Sequence, residues 1–386
     1  MTSNAAVKIN QGRIHWMDNL RTLIIFLVVL YHVGGVYEAA GLWAGFWIVD
    51  DPATISWVGI VGIVFDIFII PTLFFISGYL TPISLKNKTG WEFIKGKFKR
   101  LIIPWAIAVW TLIPLYKVIF LYSRGLPQEQ WTTYSYLTNP NSQNWLWFLP
   151  VLFVFSLLYL LFTKAKIKLP SISLTWAVVG TFVLALAYSF FGGGILGFRS
   201  WTLTPILDFE NERILVYLLS FWLGTLCFRK NVFAEKPKSK TLYIVASSVA
   251  WLPVTGHIFA RLWPFFAPGM SITPLYRLLW WLSFHLSLVV MVYVMVVSFW
   301  LYFDKTGKLW RELNKNSYGV YIIHVIVIGV FGTLLLKLNL PALVKYLILI
   351  VSAYGGSNLL VSGYRKLIQT TKASRSQPAS PAVDLG

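Results

Sequence analysis

The sequence predicts an all-α, polytopic transmembrane helical bundle of about ten spans with both termini cytoplasmic. Three observations carry that expectation. Hydrophobic residues make up 57% and charged residues 12% of the 386 positions, which is too apolar for a water-soluble fold. Apolar runs of bilayer-crossing length recur from one end of the chain to the other. The basic residues gather in alternate connections between those runs.

A hydropathy window of about 19 residues places spans at 20–40, 55–83, 101–122, 145–163, 172–191, 214–228, 241–260, 278–303, 317–337 and 342–363. The sixth is short of the roughly 20 residues that a crossing needs. The polar stretch from Met1 to Ile14 leads into many apolar runs rather than to a cleavage site, so it reads as no signal peptide and the first run stays as a span. Under this scheme 25 of the 33 lysines and arginines fall on one side and 8 on the other, which puts both termini in the cytoplasm. The formal charge of +19 therefore needs no nucleic-acid partner. Trp43, Trp47, Trp57, Trp91, Trp105, Trp131, Trp145 and Trp147, near the ends of apolar runs, read as interface anchors. The single cysteine, Cys227, excludes an intrachain disulfide or a cysteine metal cluster and reads as a small packed hydrophobe. Residues 1–363 read as one membrane domain and 364–386 as a short, disordered cytoplasmic tail. The outer segments 123–144 and 192–213 are long enough to cover or line a cavity. No metal and no permanently bound cofactor is expected.

Ionisable residues in lipid are costly and mark function or specific pairing. In the first span Asp18 and Arg21 can pair at i, i+3, and His32 lies deeper. Arg21 and His32, eleven positions apart, fall within roughly 20° of each other and roughly 16 Å apart along the helix. A mid-membrane imidazole can serve as base or nucleophile when it stays neutral, and low dielectric disfavours its charged form. The second span carries Asp66, a candidate catalytic carboxylate, with Ser77 on the same face. Ser77-Gly78 equally suits a small-residue helix contact. The connection Lys86–Arg100 reads as a basic loop that orients the chain; its Lys97, Lys99 and Arg100 also suit the phosphates of a cytoplasmic donor. In the ninth span Ser317, Tyr321 and His324 form a polar stripe at helical spacing. His257 and His285 lack polar companions at helical spacing and read as structural. Asp208, Glu210 and Glu212, with Arg213, read as a solvated outer loop, with a site for a hydroxyl-bearing acceptor as the alternative.

Five stretches in order resemble the acyltransferase-3 family of membrane-bound O-acyltransferases, most closely its glucan-biosynthesis type. They are Asp18-Asn19-Leu20-Arg21 with His32 beyond it, Phe74-Phe75-Ile76-Ser77-Gly78-Tyr79, Lys99-Arg100-Leu101-Ile102-Ile103-Pro104-Trp105, Asn144-Trp145-Leu146-Trp147-Phe148-Leu149, and Ser317-Tyr318-Gly319-Val320-Tyr321-Ile322-Ile323-His324. The resemblance implies transfer of a short acyl group, acetyl or succinyl, from cytoplasmic acyl-CoA to a hydroxyl of a glycan or similar acceptor beyond a bacterial-type inner membrane. It makes Arg21 and His32 the functional pair, with His32 as base or transient acyl carrier and Arg21 steadying the donor. Lys97 and Arg100 stand where the family often has an arginine pair.

A different class also uses intramembrane ionisable residues, so a proton-coupled transporter or flippase built on Asp66, Arg21 and His32 is the competing reading. The chain has no paired broken spans and no half-to-half similarity, which favours the transferase.

Overall fold

The computed structural model describes residues 14–39, 47–127, 143–166, 172–194, 201–269 and 271–375. Among them, nine helical stretches are long and apolar enough to cross a membrane, and Ile214–Arg229 is a shorter apolar helix. Each of the ten expected spans is therefore a helix, and the chain is an all-α polytopic bundle. The described residues form two compact units interleaved in sequence. The first holds the residues up to Ile24, Ile63–Trp105 and Trp147–Asn314; the second holds Ile25–Gly62, Ala106–Leu146 and Lys315 onward.

Helix α1 is His15–Tyr37 and α2 is Val58–Leu85. The expected basic loop 86–100 is corrected by the structure: α3, Gly90–Lys97, starts just after Thr89. Thr89 accepts from Glu92 N, and Glu92 Oε2 accepts from Thr89 N, a capping box that satisfies two first-turn donors. A π turn, Phe98–Ile102, then leads into α4, Ile103–Ser123. Pro104 explains the π turn, because it has no N–H for the carbonyl four residues back and its ring crowds that carbonyl; Ile103 N bonds instead to Phe98 O.

Beyond a short 3₁₀ turn, Asn144–Trp147, lie α5 (Phe148–Lys164) and α6 (Leu174–Gly194). A two-stranded antiparallel hairpin, β1 (Trp201–Thr202) and β2 (Phe209–Glu210), pairs Trp201 with Glu210. It leads into α7, Ile214–Arg229. The expected span 241–260 is two helical pieces, α8 (Thr241–Val249) and α9 (Trp251–Phe266). Pro253 cannot donate to the Val249 carbonyl, which accounts for the break. Then follow α10 (Pro274–Tyr302), α11 (Lys308–Leu336) and α12 (Ala342–Arg375). The last helix runs past residue 363, so part of the expected tail is helical; residues 376–386 lie outside the described residues. So do 128–142 and 195–200 of the two outer segments, and Trp43 and Trp131.

Within the first unit, α2 and α7 meet through reciprocal glycines. A Cβ on Gly78 would strike the Phe221 carbonyl, and one on Gly224 would strike the Phe75 carbonyl. The approach is backbone to backbone, which only glycine permits, and it is the small-residue contact anticipated for Ser77-Gly78. Phe74 packs beside it, stacked on Tyr217 at 5.3 Å between centroids. In the second unit α11 and α12 meet at Gly319 against Val361 and at Gly356 against Phe331.

Gly224→Ala should lower the thermal midpoint in detergent, corresponding to a cost of about 1–3 kcal/mol for forced overpacking. Gly96→Ala, whose added Cβ meets nothing within 4 Å, should not. Equal midpoints for the two variants would refute the backbone contact.

Candidate active site

The second unit brings the imidazole of the first span against that of the ninth. His324 is fully buried, and its Nδ1 lies 2.7 Å from Tyr321 O. A carbonyl only accepts, so Nδ1 carries the proton and Nε2 presents a lone pair. That Nε2 faces His32 Nδ1 at 3.4 Å. His32 Nδ1 is also 2.8 Å from Val28 O, so it too carries a proton, shared between the carbonyl and His324. The hydrogen-bond pattern thus assigns the Nδ1–H tautomer to both rings. His32 Nε2 is left with its lone pair and no hydrogen-bond partner among the described residues.

The polar stripe of α11 performs a second task. Tyr321 donates to Trp145 O at 2.5 Å, and Trp145 Nε1 donates to Ile322 O at 2.9 Å. These bonds lock the 3₁₀ turn onto the helix that presents His324. Asn144 opens that turn with φ 44°, a left-handed conformation that asparagine tolerates. Ser317 is buried on the same helix.

Residues 47–55 lie as a strap across this part of the second unit. Trp47 sits edge-on to His32 at 5.3 Å and presses on Gly35. It is buried, as are Trp105 and Trp145, so the interface-anchor reading is corrected for these three; Trp57 and Trp91 are exposed as expected. Ile48 and Val49 fit against Gly329 and Gly332 of α11. Arg124 Nη2 donates to Trp47 O at 3.0 Å. Asp51 is buried and bonded to the buried Lys345 at 3.1 Å, and it also accepts from Ala53 N at 2.9 Å. Sequence reasoning missed this strap; a lone Asp and Lys almost 300 positions apart carry no periodic signal.

The first unit holds the start of α1. Arg21 Nη2 pairs with Asp18 at 3.0 Å, as the i, i+3 spacing predicts, and donates to Asn314 O at 3.3 Å. Buried Asn19 and Asn314 are joined at 2.8 Å, and Thr22 donates to Asn314 Oδ1 at 2.5 Å. Lys97 Nζ points at Thr81 Oγ1 (3.4 Å) and lies over the Phe93 ring, whereas Lys99 and Arg100 are exposed. The Ser77 carbonyl accepts from Thr81 at 2.7 Å.

Asp66 belongs to a separate cluster in the first unit. Arg213 pairs with Asp66 at 2.8 Å and with Glu210 at 3.2 Å, and Tyr217 donates to Glu210 at 3.2 Å. Desolvation pushes the Glu210 carboxyl up from its ordinary range, against the pull of Arg213. Asp208 is buried and accepts from Thr204 N. The acidic group is therefore no solvated loop: Asp208 is buried on the hairpin's own backbone and Glu210 is turned onto Arg213. The Arg213 guanidinium also lies 4.6 Å from the centroid of Phe284, which packs against buried His257 and His285. His285 Nε2 meets Ser189 Oγ at 3.2 Å, so the polar company of that ring comes from another helix rather than its own. Among the described residues no three His, Cys, Asp or Glu are placed to hold a metal ion.

Fold and site together define a multi-pass membrane protein that holds a paired imidazole within its helices. The chain belongs to the acyltransferase-3 family: the model of that family's acyltransferase domain matches residues 14–361. Membership makes it a membrane acyltransferase. No curated protein matches the chain.

Arg213→Gln removes the cation that Asp66 and Glu210 share and should destabilise the protein by about 3–5 kcal/mol. Adding Asp66→Asn and Glu210→Gln in that background should restore most of the loss, read as the thermal midpoint in detergent. If Arg213→Gln alone leaves the midpoint unchanged, the cluster is not a coupled unit.

Proposed function

We propose that the protein moves an acetyl or succinyl group from cytoplasmic acyl-CoA to a hydroxyl of a glycan acceptor on the far side of a bacterial-type inner membrane, in the manner of the glucan-biosynthesis type of its family. The observation that carries this reading is the free lone pair on His32 Nε2, held in one tautomer by Val28 O and His324. A neutral imidazole with a fixed bare nitrogen is what an acyl-transfer base or nucleophile requires. Acting as base, Nε2 takes the acceptor's hydroxyl proton while that oxygen attacks the thioester carbonyl. The C–S bond then breaks and the thiolate recovers a proton from the imidazolium. Acting as nucleophile, Nε2 attacks the carbonyl itself and the C–S bond breaks, the Nδ1 proton passing to His324 Nε2 and on to the leaving thiolate; the acceptor's oxygen later displaces the imidazole from the acyl carbon, and its hydroxyl proton returns to that ring. Arg21 holds the donor, Lys99 and Arg100 add positive charge, and His324 both holds the tautomer of His32 and shares or takes its Nδ1 proton. Asp66 contributes to the Arg213 cluster and not to proton transfer.

His32→Ala should abolish CoA release from a panel of short acyl-CoA donors while the thermal midpoint stays near wild type. A His32-dependent gain of one acyl group in the intact mass selects the nucleophilic route. CoA release without mass gain selects the base route. His324→Ala should lower kcat about tenfold or more and leave the KM for acyl-CoA unchanged, the mark of a tautomer-holding group. Normal turnover in His32→Ala would sink the assignment, and absence of CoA release in wild type with every donor would favour the transporter.

Arg21→Ala should raise the KM for acyl-CoA with little change in kcat. A lost kcat at constant KM would instead give Arg21 a role in the transition state.

A further inference from the structure

We propose that a cavity at the junction of α10 and α11 binds the phosphate-bearing end of the donor; this rests on the acyl-CoA reading above. The cavity measures about 390 Å³ and is lined by His15, Asp304, Lys305, Thr306 and Arg311, all of the first unit. Its wall is built rather than loose. Asn19 Nδ2, from the buried first turns of α1, donates to Phe303 O at 2.8 Å and to Lys305 O at 3.1 Å. Thr306 Oγ1 lies 3.3 Å from Asn19 Oδ1 and 3.2 Å from His15 Nδ1. The same Asn19 is joined to Asn314, whose carbonyl receives Arg21.

The charge in this cavity is unbalanced. Lys305 and Arg311 supply two cations against the single carboxylate of Asp304, and among the described residues neither cationic head has an ion-pair or hydrogen-bond partner. Elsewhere Arg21, Arg213 and Lys345 are each committed to a carboxylate within about 3 Å. A guanidinium fork and an ammonium around one space match a phosphate ester, and the start of α11 at Lys308 adds oriented backbone N–H groups. The volume lies within the range of small-molecule sites. Of the three basic residues expected at this task, Lys97 is turned onto Thr81 and Phe93, and Lys99 and Arg100 are exposed.

The same chemistry suits a lipid headgroup phosphate, so the test separates the two sources. Binding of CoA, of adenosine 3′,5′-bisphosphate and of pantetheine, which has the thiol arm without phosphate, is measured by calorimetry. The full chain is held in zwitterionic nanodiscs, as wild type and as Lys305→Gln with Arg311→Gln. Both side chains are exposed, and an unchanged thermal midpoint confirms the fold of the double variant. The Kd for CoA and for the bisphosphate should rise at least about tenfold in the variant, with pantetheine unaffected. An unchanged Kd for both phosphorylated probes overturns the proposal. So does a variant that changes only the binding of phosphatidylglycerol added to the discs, which would give the cavity to a lipid. If wild type binds the bisphosphate but not CoA, the donor reading fails, while loss of the bisphosphate in the variant still supports an anion site.

Discussion

A polar side chain inside a membrane keeps its place only when the protein supplies the partner that water would have been. The internal order of each unit follows from that demand. His324 satisfies its own proton on the Tyr321 carbonyl and offers its other nitrogen to His32. Asn19 and Asn314 satisfy each other and the backbone around residues 303–305. Asp66 has Arg213, and Asp51 has Lys345. Glycines then set how closely the elements carrying these groups approach, as at Gly78 and Gly224 or at Gly329 beneath Ile48.

The two kinds of partnership differ in cost. A buried ion pair such as Asp51–Lys345 recovers in Coulomb attraction roughly what desolvation removes, so its net stabilisation is small. Its effect is positional: a strap tied by that pair, by Arg124 on the Trp47 carbonyl and by Ala53 on Asp51 has one place to lie. That place sets the indole of Trp47 against His32. Neutral imidazoles bonded to carbonyls avoid the desolvation charge altogether. The chain thus uses ion pairs to hold the surroundings and rests the His32–His324 pair on backbone carbonyls.

What could be read from the sequence follows the range of each signal. Bilayer thickness imposes a length on every span, so ten helices were legible from apolar runs alone. The Asp18–Arg21 pair and the Ser317, Tyr321, His324 stripe were legible because neighbours at three and four positions are fixed by helix geometry. The contact of His32 with His324 was not, since the two rings are 292 positions apart and only packing joins them. Arg213 was misread in part for the same reason: Asp66 lies 147 positions away on α2, whereas the Glu210 pair is local at i, i+3 and was passed over because the acidic residues around it looked like a wet loop. Trp47 carried the same label as Trp57 because both lie near run ends, yet only one is covered. Two finer details of spans that were placed correctly could also be read locally. Pro253 and Pro104 stood in the sequence, and a missing N–H predicts both the break after Val249 and the π turn before α4.

The tautomer chain also decides where charge goes during the proposed reaction. In the base route the proton taken by His32 Nε2 makes an imidazolium whose Nδ1–H points at the lone pair of His324, so the charge spreads over two rings. In the nucleophilic route a neutral acyl-imidazole forms only when Nδ1 gives up its proton, and the acceptor facing it with a free lone pair is again His324 Nε2. Val28 O cannot take that proton, because a backbone carbonyl is far too weak a base. Both routes therefore draw on the second imidazole at the step where an isolated histidine in hydrocarbon would have to carry a full charge alone. Spreading a charge over a larger group lowers the cost of burying it. Under the proposed function, the pairing of His32 with His324 accordingly does more for the acyl-transfer step than for the resting fold, where two neutral rings gain one long hydrogen bond.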